Sequence, residues 1–384
     1  MASNLESDKS IKNIFWSLVL VTSLILPSGF GGFTAIYLYG FLISITILFQ
    51  GDNNKVSVRK ASFVTLVLFC FLSGAFLNAN NVYNLWEYRE YIRIPLLISS
   101  VFIIKANRIS VVKIFIVSMS FVIFADFIFF HLLKNSSISI TLNELFLMRG
   151  MEVLEGSYWR HIGIGGNPNV SSTIYSITIL VFTNFLIFNL ARGYLFKLLV
   201  MMVIFLSIYL LLLTYSRTGM VSLLFALSFL LLFNRPKLIV PFVLIMTFCL
   251  FLLVPTFFYS LLERFMSFSS FDARIVHWEG LLERYNTFIF LFGSSLNVSV
   301  VDNDYLYFAF RFGFFGFLFL VITPIYVLFK IKDEFLRNTY FSLIVFYYVG
   351  AFPGGTLANP KAYIFLVVLG CLSMNSKVSI GEKK

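Results

Sequence analysis

The stretch LLLTYSRTGMVSLLF, residues 211–225, joins apolar runs at 197–214 and 219–233 and carries a single charge, Arg217. Runs near the ~20 residues needed to cross a bilayer as a helix read as two spans that reverse direction at Tyr215-Ser216-Arg217-Thr218. A charge at the centre of a spanning helix costs about 2.5–3.5 kcal/mol on insertion scales. Arg217 therefore either sits at a membrane edge as a topological anchor or is there for a ligand.

The rest of the chain has the same character. Of 384 residues, 59% are hydrophobic, 12% are charged and 49 are Phe; the mean hydropathy is +0.90. That is too little polar surface to coat a soluble globule. Further apolar runs fall at 14–28, 33–50, 61–78, 88–104, 111–133, 170–190, 238–257, 305–329, 340–352 and 362–375. The spacing predicts one all-α transmembrane domain over 1–384, a polytopic helical bundle of about twelve spans. Residues 1–13 are polar and the first run lacks a small-residue cleavage site, so no cleavable signal is expected.

With the N-terminus cytoplasmic, the inner segments carry 18 of the 29 Lys and Arg, which favours both termini inside. The net charge of +11 is mostly this bias and does not point to nucleic acid. The inner charges are mainly lysines, whereas outside only Lys134 and Lys361 stand against Arg89, Arg93, Arg149, Arg160, Arg217, Arg264, Arg274, Arg284 and Arg311. Topology needs only charge, whereas a planar fork suits a carboxylate or phosphate gripped bidentately. The outer face is thus expected to meet an anionic ligand, with snorkelling at the interface as the alternative for any one arginine. Cys70, Cys249 and Cys371 lie in apolar runs and read as small buried hydrophobes.

Two outer loops are long, 134–169 and 258–304, and loops of that length are commonly functional. The first holds an amphipathic segment around Leu142–Leu154 and then HIGIGGNPN, residues 161–169, before a helix whose first turn is read as Val170–Thr173. Asn167-Pro168-Asn169 is an N-cap or, with Arg160 nearby, part of an anion site at a helix N-terminus. In the second loop, Asp272–Tyr285 has helical periodicity, with Ile275, Trp278, Leu282 and Tyr285 on one face, as in a helix lying on a membrane surface. Arg274 precedes Trp278 by one turn. Beyond it, Asp302 and Asp304 flank Asn303 at the start of a span. A cap or a solvated helix end explains Asp304, leaving Asp302 as the better candidate for chemistry.

These elements resemble the O-antigen polymerase and ligase superfamily of bacterial envelopes. The resemblance rests on Ser216-Arg217-Thr218-Gly219, Arg274 with Trp278, Asn303-Asp304-Tyr305-Leu306, and Gly313 with Gly316, across residues 155–325. Where the ligases typically carry a histidine before the asparagine, this chain has Asp302, which resembles the polymerases. The resemblance implies a glycosyltransferase of the GT-C type in the bacterial inner membrane, with both long loops periplasmic. Its substrates would be oligosaccharide repeats on undecaprenyl pyrophosphate, delivered among membrane lipids, with a chain-length regulator as protein partner.

On that reading Arg217 and Arg274 are assigned to the leaving pyrophosphate with Arg160 in support, because fixed guanidinium groups stabilise developing negative charge. Asp302 is the first choice of base, Glu155 or Glu152 the reserve, His161 a further option and His277 a weaker one. Asn169, Asn303 and Tyr305 are expected in substrate binding and Arg311 along the cavity. Arg89 and Arg93 bind a second carrier's phosphates or pair with Glu87 and Glu90; Asp126 and His131 read as interior hydrogen-bonding groups. Apart from Asp302 and Asp304, read as a base and a helix end, there is no DxD pair of the kind that chelates a divalent ion with a sugar nucleotide, no His cluster and no P-loop, so neither metal nor cofactor is expected. The competing readings are the ligase and a flippase for lipid-linked oligosaccharides.

Overall fold

A computed structural model describes residues 111–138, 140–141, 152–155, 158–190, 193–238, 269–283, 286–293 and 303–352, with single positions between 366 and 374. The spans expected before residue 111 and at 238–257, together with Arg89, Arg93, Asp302 and the three cysteines, lie outside the described residues.

Helix α1, Val111–Ala125, continues into a π-helical turn, Asp126–Leu132. A two-stranded antiparallel hairpin follows, β1 Glu152–Glu155 and β2 Tyr158–His161, with Glu152 opposite His161 and Val153 opposite Arg160. Then come α2 Pro168–Ile187, α3 Tyr194–Leu213 and α4 Arg217–Asn234. Later in the chain are α5 Ser269–Leu282, the short α6 Thr287–Phe292, α7 Asp304–Lys330 and α8 Glu334–Ala351.

Among the described residues, five helices are long and apolar enough to cross a membrane: Ile114–Leu132, α2, α3, α4 and α7. They correspond to five of the runs read from the sequence. The run at 340–352 is the later part of α8, which begins at Glu334 because the Asp333 carboxylate caps it, accepting from the Leu336 N–H at 3.0 Å.

The centre of the bundle is α2, 83% buried where α3 is 28% buried. Apolar side chains gain little by leaving lipid for a helix interface, so small and hydroxyl-bearing residues that permit close approach mark a central membrane helix. On α2 these are Ser171, Ser172, Ser176, Thr178 and Asn184, all buried. Ser176 Oγ donates to the Gly219 carbonyl of α4 at 3.4 Å. Asn184 Nδ2 donates to the Phe335 carbonyl of α8 at 3.2 Å and to Thr339 Oγ1. Phe182, Phe185 and Phe335 fill the space around that clasp.

These clasps fix the direction of each helix. Asn338 near the start of α8 donates to Asn234 at the end of α4, at 2.8 Å, while Tyr305 Oη at the start of α7 donates to the Tyr348 carbonyl near the end of α8, at 2.6 Å. Helices α2, α4 and α7 therefore begin at one end of the bundle, where α8 finishes. The same end, here the upper end, holds the ends of α1 and α3, joined by His131 Nε2 and Tyr209 Oη at 2.9 Å.

Helix α7 is broken at Gly313, whose φ of 65° and ψ of −174° are not helical. A Cβ there would strike the Leu291 carbonyl of α6 and lie 2.7 Å from the Gly293 nitrogen; one on Gly293 would strike the Arg311 carbonyl. The two glycines let the end of α6 cross the break in α7 at backbone contact.

Two sequence expectations change. The amphipathic segment read over Leu142–Leu154 ends instead in strand β1. Four-residue strands on either side of Gly156-Ser157 satisfy their backbone groups in a hairpin, which a single helical turn at this site would leave unpaired. The helix read over Asp272–Tyr285 starts earlier, at Ser269, and ends at Leu282. Its apolar face is not continuous: Trp278 is buried and packs edge-on against Phe352 at the end of α8, at 5.8 Å, whereas Leu282 is 51% exposed.

Candidate functional site

Two polar assemblies meet at β2 on the upper end. The first is built on the α3–α4 turn. Thr214 ends α3, its hydroxyl donating to the Leu211 carbonyl at 2.6 Å and accepting from the Ser216 N–H at 3.2 Å. Tyr215 is forced to a φ of 49°, a conformation that is uncommon for a bulky residue and is held only where its surroundings over-determine it. Ser216 then caps α4, accepting from the Gly219 N–H at 3.3 Å, which makes Arg217 the first residue of the helix.

Arg160 on β2 holds this turn. It is 7% exposed; its Nε donates to the Thr214 carbonyl at 2.8 Å and its Nη2 to Asn169 Oδ1 at 2.9 Å. The same Asn169 oxygen accepts from Ser216 Oγ at 3.1 Å. Asn169 belongs to the first turn of α2, so one amide oxygen ties the glycine-rich loop to the Ser-Arg-Thr-Gly turn.

The expected first turn of α2 moves back two residues. Asn167 is the N-cap, accepting from the Asn169 N–H at 2.8 Å, and Pro168 opens the helix, where its fixed φ and missing N–H cost nothing. The capping reading of Asn167-Pro168-Asn169 holds. The Asn169 and Ser171 N–H groups are engaged by Asn167 itself, so they do not point outward as an anion site requires.

The second assembly lies on the other face of β2, because successive side chains of a strand point to opposite sides. His161 is 3% exposed and sets Nε2 at 3.3 Å from Oδ1 of Asp126, which is fully buried. Oδ2 of Asp126 accepts from the Ile164 N–H at 3.2 Å and from the Tyr175 hydroxyl. The π-helical turn makes this possible. Five residues along an α-helix turn a side chain by about 140°, but the wider π turn brings positions five apart back onto one face. Both Asp126 and His131 accordingly face His161, the two imidazole rings lying edge-on at 6.2 Å. Gly163, at φ 60°, closes the assembly: a Cβ there would run into the Tyr175 hydroxyl and lie 2.9 Å from Asp126 Oδ2.

The remaining site residues read from the sequence divide. Asn303 accepts from the Leu306 N–H at 3.1 Å and is the cap of α7, so Asp304 is not the cap but the first residue of the helix. Asp304 is 1% exposed, not at a solvated end, since the upper end of α7 is packed against α8. Tyr305 spends its hydroxyl on the Tyr348 carbonyl. These two side chains hold the start of α7 in place. Arg311 is buried, its guanidinium 5.9 Å from the centre of the Tyr307 ring. Arg217 and Arg274 are half-buried, on α4 and in the second turn of α5. Glu155 occupies the end of β1, and His277 is exposed on α5.

Asp126 is an interior hydrogen-bonding group, as read; His131 is hydrogen-bonded but only half-buried. Their partners could not be found by spacing, since His161 and Tyr175 lie 35 and 49 residues from Asp126. The available signal was the aspartate itself inside an apolar run, which demands a partner.

Comparison of the chain with protein-family models and with curated proteins finds no match. Fold and site together define a helical membrane protein whose upper end presents an arginine-bearing turn on one side of a strand and a buried carboxylate–imidazole pair on the other.

Proposed function

We propose that the chain is an O-antigen polymerase: a membrane glycosyltransferase that moves a growing saccharide from undecaprenyl pyrophosphate onto an incoming lipid-linked repeat. In this reading the upper end faces the periplasm, the bundle has about twelve spans in the inner membrane, and both termini are cytoplasmic. The observation that carries it is the clamp of Arg160, Asn169 and Ser216 around the turn that begins α4 with Arg217. A topological anchor needs no such support. A guanidinium that must meet the charge developing on a leaving pyrophosphate does, because preorganised donors stabilise that charge without reorganising.

Arg160 then takes a different part from the one first assigned to it. Its Nε and Nη2 engage protein oxygens, so it supports the turn, while Arg217 and Arg274 serve the pyrophosphate. Membrane lipids carry both substrates to the upper end, and a chain-length regulator is the expected protein partner.

The test is deletion of the gene followed by examination of lipopolysaccharide. A polymerase deletion leaves core carrying a single repeat, because a separate ligase still transfers unpolymerised units. Bare core with long chains accumulating on the carrier identifies a ligase instead. Bare core with repeats retained inside identifies a flippase.

A further inference from the structure

Resting on the polymerase reading, we infer that His161, oriented by Asp126, takes the proton from the acceptor sugar hydroxyl, the role first given to Asp302. An apolar trio would hold the loop to the bundle at less desolvation cost than a buried aspartate, histidine and tyrosine, so anchoring alone does not account for these residues. Asp126 engages Nε2 of a ring that is only 3% exposed, and no described residue hydrogen-bonds Nδ1. A carboxylate accepting from Nε2–H fixes the tautomer that leaves a lone pair on Nδ1, the logic of an oriented histidine base. Tyr175 and the Ile164 N–H in turn hold the carboxylate.

Arg160 and His161 are neighbours on β2, so the base is one residue along the strand from the side chain that holds the Arg217 turn. Arg160 and the Arg217 turn occupy one face of the strand and His161 the other. In the step, the acceptor oxygen bonds to the anomeric carbon as the bond from that carbon to the phosphate oxygen breaks. The electron pair leaves with the pyrophosphate, and the hydroxyl proton passes to Nδ1 directly or through one water. The imidazolium so formed is paired with Asp126. His131, edge-on to His161 and bonded to the 44% exposed Tyr209, lies on the side through which the proton returns to solvent. Among the described residues, the titratable groups around the ring are Asp126 and His131 from the π-turn and Tyr175 from α2; Glu152 is its register partner across the hairpin.

The experiment uses the full-length protein in nanodiscs with lipid-linked repeats extracted from a strain lacking the gene. His161→Gln should lower kcat about 100-fold or more, with an unchanged KM and a loss far larger than any accompanying fall in melting temperature accounts for. Asp126→Asn should keep measurable activity but lower kcat about 10-fold or more at unchanged KM, because the ring loses the carboxylate that fixes its tautomer. Tyr175→Phe should lower kcat less. Wild-type kcat in His161→Gln overturns the inference, as does a loss in all three variants that follows melting temperature or comes with a raised KM. If the wild-type protein itself makes no polymer, the polymerase reading fails and takes this inference with it.

Discussion

Arg160 and His161 are neighbours on β2 yet are held from opposite sides, the first by Thr214 and Asn169 and the second by Asp126. The hairpin is therefore pinned between the α3–α4 turn and the π-turn of α1. Displacing it disturbs both assemblies together.

Replacing Arg217 by alanine should leave single-repeat lipopolysaccharide at normal protein level, read on silver-stained gels with an immunoblot for the protein. Arg217→Lys should restore only short chains, because a point charge does not supply a bidentate grip. Full-length banding in the alanine variant would remove Arg217 from the site.

The clamp should behave as a unit. Arg160→Ala and Asn169→Ala each break hydrogen bonds to a shared, buried partner set, and each should cost about 1–3 kcal/mol. The double variant should fall short of the sum by about 1 kcal/mol. Denaturation in detergent, run as a double-mutant cycle, measures this; strict additivity would mean that the two side chains do not work together.

Gly163 and Gly166 both have positive φ, 60° and 73°, but only Gly163 faces packed atoms. Alanine at Gly166 should cost the ~1–2 kcal/mol of a left-handed conformation. Alanine at Gly163 should cost more and also separate Tyr175 from Asp126. Comparing the two melting temperatures isolates the clash from the backbone term, and equal shifts would contradict it.

Sidedness can be read with cysteines at Ser136, beyond α1 at the upper end, and at Lys332, between α7 and α8 at the other. An impermeant thiol reagent on spheroplasts should label position 136 and spare 332. The reverse pattern would turn the site to the cytoplasm and end the polymerase proposal.

Much of this architecture was legible in the sequence because apolar length and caps are local. Ser216 and Asn303 are of capping type, although the cap of α7 was read one residue late, at Asp304, and the Asn167-Pro168 pair announces α2 once proline is read as the first helical residue. The hairpin was missed because its strands are only four residues each, too short for alternation to stand out, though Gly156-Ser157 between them was a turn signal. The π-turn was illegible, since nearly every side chain around it is apolar and no periodicity distinguishes five-residue from four-residue spacing. Asn303 and Tyr305 were read as binding residues; their side chains secure α7, a use that only the packed neighbours reveal.

The break at Gly313 also bears on how the charge of Arg311 is tolerated. The α-helical length from Phe314 to Lys330 is about 25 Å at 1.5 Å per residue, slightly under the ~30 Å of a bilayer's hydrocarbon layer. If Lys330 marks one interface, a helix of that length brings the break near the opposite headgroup boundary and leaves Asp304–Phe312 above the acyl chains. Arg311 lies two residues before the break, 5% exposed and with its guanidinium 5.9 Å from the centre of the Tyr307 ring, so its burial is a matter of protein packing instead of hydrocarbon solvation.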